Sequence, residues 1–313
     1  MKYIVTGCAG FIGSNLVDSL LCDGHQVIGL DNFSTGKLSN LSSALLNQDF
    51  KLLKLDIFAD QLDPGIFSNV DAIFHFSANA DVRYGWDHPS LDLEQNTLVT
   101  HKLLEHARCS GVKRFIFSST GSIYGDAPII PTSEDAFFPI QTSLYGASKL
   151  ASEAIIQAYS EGCGIRSYIF RFVSILGPRY SHGHIVDFYR QLQKSSELIV
   201  LGNGYQTKSY LHVDDCIDGI KLAVSASLES KVNIFNLGTE EVCTVRDSIA
   251  IILGKLAIDP KITYGIEDRG WVGDSPKILL DIKRMKSIGW IPKLTIAQSI
   301  ESTIEYLVNE SNL

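Results

Sequence analysis

The sequence predicts an α/β protein built on a doubly wound parallel sheet, and three observations predict it. Apolar runs of five or six residues recur through the first two-thirds of the chain, at 2–6, 26–30, 51–55, 72–76, 114–118 and 167–172. They are continuously apolar rather than alternating, as strands buried on both faces are. Between several of them lie segments of helical period, at 11–22, 91–108 and 144–159, and repeated strand–helix–strand units require right-handed crossovers.

Taken in order, the first strand runs into a turn with glycines at Gly7, Gly10 and Gly13, and the helix at 11–22 follows. The second strand ends at Asp31, the third at Asp56 and Ile57, and the fourth in His75-Phe76-Ser77-Ala78-Asn79-Ala80. The fifth leads into Ser118-Ser119-Thr120-Gly121-Ser122, and the helix at 144–159 opens with Tyr145 and Lys149. After Gly177 the rhythm changes. Helices at 185–194 and 213–226, a turn at Gly202-Asn203-Gly204, a strand at 232–237, a mixed segment around 270–274 and a final helix at 296–308 are expected. The expected division is a cofactor-binding domain over 1–175, to which 205–237 returns, and a smaller mixed lobe over 176–313.

Composition narrows the classes. Hydrophobic residues make up 45% and charged residues 20% of the 313, values typical of globular proteins and not of disordered ones. No apolar run approaches the roughly 18 residues of a membrane span. The net charge of −8 disfavours nucleic acid as a partner. The six cysteines are scattered without paired spacing, and the first residues read as a strand rather than a secretory leader. A reduced, cytoplasmic protein is expected. Ser181-His182-Gly183-His184 lacks the carboxylate or thiolate a metal site needs, so no metal is expected.

The glycine turn carries the first chemical signal. Gly7, Gly10 and Gly13 let the backbone approach a pyrophosphate, and the helix amides behind them, from Phe11 and Ile12 onward, offer a positive dipole end. Asp31 stands where a carboxylate accepts hydrogen bonds from the adenosine ribose and repels a 2′-phosphate, which favours NAD over NADP. Asp56 is placed to reach the adenine amino group, with Ile57 lining the ring. Small residues at Ser77, Ala78 and Ala80, after Phe76, let the backbone pass close to the cofactor, and His75 reads as a packed strand-end histidine. Tyr145 and Lys149 share one helix face four residues apart. A tyrosine is a poor base at neutral pH, but a neighbouring ammonium and a cationic nicotinamide would both favour phenolate. Such a pair is equally at home on an amphipathic surface helix; its meaning comes from the turn upstream.

In these features the chain resembles the NAD-dependent sugar-nucleotide epimerase/dehydratase family of extended short-chain dehydrogenases/reductases, and within it the 4-epimerases of UDP-hexoses. The resemblance spans nearly the whole chain. It rests on the loop at 6–14, Asp31-Asn32-Phe33-Ser34-Thr35-Gly36, Asn96, the segment 118–125, Tyr145 with Lys149, and the stretches 171–179 and 202–215. It implies a Rossmann-like fold and tightly bound NAD. Asn32, Ser34, Thr35, Gly36, Asn96, Ser118 and Phe172 would stand beside the cofactor, and Lys149 would hold its nicotinamide ribose. Thr120 would be the catalytic hydroxyl and Tyr145 the group that takes the proton from the sugar 4-hydroxyl, while hydride passes from C4. The transient 4-keto sugar then turns over, and hydride returns to its other face.

The family's 4,6-dehydratases carry an Asp-Glu pair after the Thr, and its UDP-glucuronate decarboxylases carry a Glu at the position of Ser122. Gly121 and Ser122 supply neither. On the nucleotide-sugar side, Ser174 stands where the family usually has Asn, and Lys208 where it has an Arg that forks onto the diphosphate. Arg179 and Arg269 are the other candidate cations. The resemblance also implies a homodimer through the helices near 91–108 and 144–159. The alternatives are a GDP-, CDP- or dTDP-sugar epimerase or reductase of the same family, or a non-catalytic NAD-binding regulator.

Overall fold

The computed structural model describes residues 1–311 except 83, 139, 269 and 271–276. The chain runs through β1 (Lys2–Thr6), α1 (Phe11–Cys22), β2 (Gln26–Asp31), β3 (Phe50–Lys54), β4 (Ala72–His75), the short helices α2 (Tyr84–Asp87) and α3 (Pro89–Asp92), α4 (Val99–Ser110), β5 (Arg114–Thr120), α5 (Leu144–Cys163) and β6 (Arg166–Phe172). It continues through β7 (Ser174–Leu176), α6 (His184–Lys194), β8 (Glu197–Val200), β9 (Thr207–Lys208), β10 (Tyr210–His212), α7 (Val213–Ser225), β11 (Val232–Leu237), β12 (Cys243–Thr244), α8 (Val245–Leu256), β13 (Lys261–Tyr264), α9 (Lys283–Ser287) and α10 (Ile296–Ser311).

One sheet of seven strands dominates, in the order β3-β2-β1-β4-β5-β6-β11. Its first six strands follow the doubly wound order 3-2-1-4-5-6, whose direction reverses between β1 and β4. β1 pairs in parallel with both β2 and β4, which places their carboxyl ends side by side. β1, β4, β5 and β6 are buried almost throughout, because helices cover both faces. β3, with the sequence FKLLK, is the partly exposed edge, where lysines discourage a further strand from pairing.

By packing, the chain forms two compact units, 1–123 with 143–171 and 220–235, and 124–142 with 172–219 and 236–313. The core of the first joins Ile4, Leu30 and Ile73 of the sheet to Leu103 and Leu104 of α4 and Ile156 of α5. In the second, α6, α8 and α10 bury Ile185, Ile249, Ile252, Ile300 and Ile304. α8 starts at a capping box: the Thr244 hydroxyl accepts from Asp247 N at 3.1 Å, and the Asp247 carboxylate accepts from Thr244 N at 3.1 Å. Asp215 is a structural anchor there, accepting from the amides of Lys293 and Leu294 at 3.0 Å each. Among the described residues, no helix is long and apolar enough to cross a membrane.

Candidate active site

The glycine turn joins the end of β1 to α1. Gly7 has φ +66°, and a Cβ there would lie 2.7 Å from the amide nitrogen of Ser77, so only glycine lets the turn and the end of β4 meet. A Cβ on Gly13 would lie 2.1 Å from the Gly7 carbonyl oxygen, which fixes how closely α1 follows the turn. Gly10 caps α1 without any side-chain hydrogen bond, and a Cβ added to it would meet only the Gly7 oxygen. The first helical turn, with Phe11 and Ile12, thus keeps an uncapped positive end behind open space, and this fits a pyrophosphate. Cys8 lies buried under the turn, its thiol pushed up by burial and then by Asp31, which disfavours a nucleophilic thiolate.

Asp31 ends β2 with its carboxylate on two backbone amides, Ala9 N at 2.8 Å and Phe33 N at 2.8 Å. It therefore ties the glycine turn to the next loop. Each carboxylate oxygen has a second lone pair, so a ribose hydroxyl can still be accepted. Asn32 donates to Asp56 at 2.9 Å and accepts from Ser34 N at 2.9 Å, while Ser34 and Thr35 are exposed. The Gly36 backbone packs on Ala9. Burial pushes the Asp56 carboxyl up, but hydrogen bonds from Asn32, Ala59 and Phe58 outweigh it and hold it low. Asp56 is committed to shaping this loop, and Ile57 is buried in the core below.

At the end of β4, the Thr6 hydroxyl is a hub. It accepts from Phe76 N at 3.2 Å, Ser77 N at 3.2 Å and Ser77 Oγ at 3.0 Å. His75 uses both ring nitrogens, Nδ1 on Thr6 at 2.8 Å and Nε2 on Thr100 at 2.9 Å, and burial lowers its basicity strongly. It is a packed histidine, as its sequence position suggested. Ala78 is half-buried and Ala80 exposed beyond it.

Pro89 to Ser110 is one helical run whose middle, Leu93–Leu98, is a π-turn. Such turns free a carbonyl from the ladder. Here the Asn96 carbonyl accepts from the hydroxyls of Thr100 at 2.5 Å and Ser152 at 3.0 Å. The Asn96 amide donates to Ser148 Oγ at 2.9 Å, and its oxygen accepts from Asn79 N at 2.9 Å. Asn96 thereby fastens α5 to the loop after β4.

α5 is started by Ser143, whose hydroxyl accepts from Gly146 N at 3.0 Å, and this sets the rotation of the helix that carries Tyr145 and Lys149. Ser143→Ala is expected to cost about 1 kcal/mol, read as a lower midpoint in urea unfolding. Lys149 is buried, donates to the Ser118 carbonyl at 2.8 Å and lies 4.6 Å from the Phe117 ring centroid. The Thr120 hydroxyl acts on the Tyr145 phenol and favours its ionisation. Thr120 also donates to Ser122 Oγ at 3.2 Å and accepts from Ser122 N at 3.1 Å.

Burial sets the balance at both members of the pair. Burial raises the phenol to about 12, the Thr120 hydroxyl opposes this, and the Asp92 charge adds to it. Burial in turn lowers Lys149 to about 7, against the carboxylates of Glu153 and Asp92. At both groups desolvation is the largest cause.

Sequence reasoning missed the group behind the pair. Glu153, one turn beyond Lys149, receives Arg171 through Nη2 at 2.7 Å and Nε at 3.1 Å, and the Ser119 hydroxyl also donates to it. Both members of the ion pair are buried. Nothing local links positions 153 and 171, so no spacing rule finds them.

In the second unit, Ser174 opens β7 and is exposed, Arg179 adopts a left-handed backbone with φ +72°, and Lys208 pairs with Cys243 between β9 and β12. Phe172, the last residue of β6, is buried. Arg269, and residues 271–274 of the segment expected to be mixed, lie outside the described residues. His184 contacts the hydroxyls of Ser248 at 3.3 Å and Tyr210 at 3.1 Å. Among the described residues, no three His, Cys, Asp or Glu side chains gather as metal ligands.

The sequence profile described as the NAD dependent epimerase/dehydratase family matches residues 3–238. A UDP-glucose 4-epimerase of Mycolicibacterium smegmatis is 33% identical over 99% of this chain and 100% of its own length. The crystal structure of a UDP-glucuronic acid 4-epimerase from Bacillus cereus, in complex with UDP-glucuronic acid and NAD, superposes with a TM-score of 0.92 at 28% identity, over 99% of this chain and 100% of that one. A UDP-glucose 4-epimerase from Thermotoga maritima, with UDP-glucose, gives a TM-score of 0.90 at 30% identity, over 99% and 100%.

Proposed function

The chain belongs to the NAD-dependent epimerase/dehydratase family, and we propose on that premise that it is an isomerase inverting C4 of a UDP-hexose through a transient 4-keto sugar. The observation that carries the reading is that the Thr120 hydroxyl acts on the Tyr145 phenol, with Lys149 one turn on, in a segment where Gly121 and Ser122 follow Thr120. Epimerisation needs one group to take and return a proton at O4. Dehydration and decarboxylation need further carboxylates, which Gly121 and Ser122 do not supply.

The turn at Gly7–Gly13, Asp31 and the loops at 32–36 and 76–80 would hold NAD, with Asn96 and Ser118 supporting the site. When bound, NAD supplies the hydride acceptor and a cationic ring that favours phenolate. Tyr145 takes the proton from the sugar 4-hydroxyl, and Thr120, which acts on the Tyr145 phenol, orients the same oxygen and relays the proton. Lys149, held by the Ser118 carbonyl, would support the phenolate with its charge and would hold the nicotinamide ribose. Because each turnover regenerates the cofactor, no added NAD is consumed.

Ser174, Arg179, Lys208 and Arg269 are proposed to contact the nucleotide sugar. Lys208 offers a point charge in place of a forked guanidinium. A homodimer through the helices near 91–108 and 144–159 is proposed on the exposed Leu93 and Leu98, 53% and 42% accessible. A cytoplasmic site of action is proposed on six unpaired thiols.

The test is incubation of purified protein with UDP-glucose, UDP-N-acetylglucosamine, UDP-glucuronate and their GDP, CDP and dTDP counterparts, without added NAD, followed by proton NMR. The expected result is formation of the C4 epimer from a UDP-hexose. A silent panel, even with NAD added, would overturn the reading.

A further inference from the structure

Asp92 closes α3 at the edge of the π-turn and is 1% exposed. One carboxylate oxygen accepts from the side-chain amides of Asn79 at 2.9 Å and Asn96 at 3.3 Å; the other is buried without a hydrogen-bond partner among the described residues. A Cβ at Gly85 would lie 2.2 Å from that second oxygen, so glycine leaves it room. A buried carboxylate with an idle oxygen is costly to the fold.

Its surroundings point to the active site. Asn96 bonds Asp92 and Ser148 with the same amide nitrogen, and the Ser148 hydroxyl donates to the Tyr145 carbonyl at 2.9 Å. Asp92 is thus coupled to the turn of α5 that carries Tyr145 and Lys149. The charged and titratable groups acting here are few. Burial pushes the Asp92 carboxyl up, Asp81 adds to this, and the Asn79 amide, the Lys149 charge and the Asn96 amide oppose it. Glu153 and Asp92 act on Lys149, and Lys149 acts on His75. Glu153 is already matched by Arg171 and Ser119, whereas Asp92 has only amide donors.

We propose that Asp92 is a second counter-charge of Lys149 beside Glu153, a positioning residue that helps keep the lysine cationic and sets the pH range in which the Tyr145–Lys149 pair works. This rests on the reading of that pair as the acid/base machinery. Removing the negative charge should disfavour the ammonium of Lys149 and favour the phenolate of Tyr145, so both transitions move the same way. A residue that only packed α3 would change the rate without moving either.

The test is the pH dependence of kcat/KM for NAD-loaded wild type, Asp92→Asn and Asp92→Glu. Alongside it, the Tyr145 phenolate is followed by ultraviolet absorbance against Tyr145→Phe, a readout independent of substrate. Asp92→Asn should shift both limbs of the profile, and the phenolate midpoint, to lower pH by about one unit. Asp92→Glu should keep the wild-type midpoints even where kcat falls. Unmoved midpoints in Asp92→Asn would overturn the proposal. If Asp92→Asn does not fold, Asp92→Ser is read in its place; failure of both neutral variants with a folded Asp92→Glu would overturn it by leaving Asp92 a structural role only. Should wild type turn over no nucleotide sugar, the proposed function fails, while the phenolate titration still decides the role of Asp92.

Discussion

Tyr145→Phe is expected to lower kcat by about 10²- to 10⁴-fold, the span of one general acid/base group, with bound NAD and thermal stability unchanged. The phenyl ring fills the same half-buried position on α5, and the change removes one hydroxyl whose described partner is Thr120. Thr120 keeps its bonds to Ser122 at 3.2 and 3.1 Å, so the loop should hold its shape. Lys149 keeps the Ser118 carbonyl at 2.8 Å, so cofactor retention should survive. Loss falls on kcat because the proton at O4 then has no acceptor of matched basicity, whereas binding of the sugar nucleotide rests on other groups. Turnover assayed by NMR, with cofactor content from the ultraviolet spectrum, checks both halves; wild-type kcat would remove Tyr145 from the mechanism. The high affinity of the free phenol for its proton, about 12, makes the argument sharper. Burial alone keeps the phenol protonated, so the phenolate used in turnover is expected to be populated by positive charge delivered to the site.

Much of this fold was legible because each local signal agreed with its neighbour. β1, α1 and β11 begin and end where the apolar period does. The helix read as 144–159 runs on to Cys163, and Gly164, with φ +69°, provides the left-handed stop. The helix read as 91–108 starts earlier, at Pro89, whose fixed φ suits a first turn. Its π-turn had no sequence signature, since the freed carbonyl of Asn96 is satisfied by Thr100 and Ser152, one of them on another helix. The same limit hid Asp92 and the Glu153–Arg171 pair. Their meaning lies in what burial does to a charge, and burial is decided by packing between segments remote in sequence. Asp31 and Asp56 show the converse: their positions were foreseen, but each first serves the backbone of its own loop.

Arg171→Met is expected to destabilise the protein by about 3–5 kcal/mol, because it strands the Glu153 carboxylate in the interior. Glu153 is completely buried, and its described partners are Arg171, through contacts of 2.7 and 3.1 Å, and the Ser119 hydroxyl. Without the guanidinium, one hydroxyl must compensate a full charge. The double variant Arg171→Met with Glu153→Leu removes both charges at similar volume and is expected to recover most of the loss, since a buried pair and a well-packed apolar pair are often close in energy. Urea unfolding of the single and double variants measures the coupling directly; equal destabilisation in both would deny the pair its role. The consequence reaches the active site, because Glu153 is also the first carboxylate holding up the charge of Lys149 against burial. In the double variant the fold should return without its full activity. Only Asp92 would then support the lysine, and the alkaline limb of the pH profile should fall to lower pH. Stability and catalysis are therefore separable at this site: the Arg171 guanidinium serves the fold, and the Glu153 carboxylate it neutralises serves both.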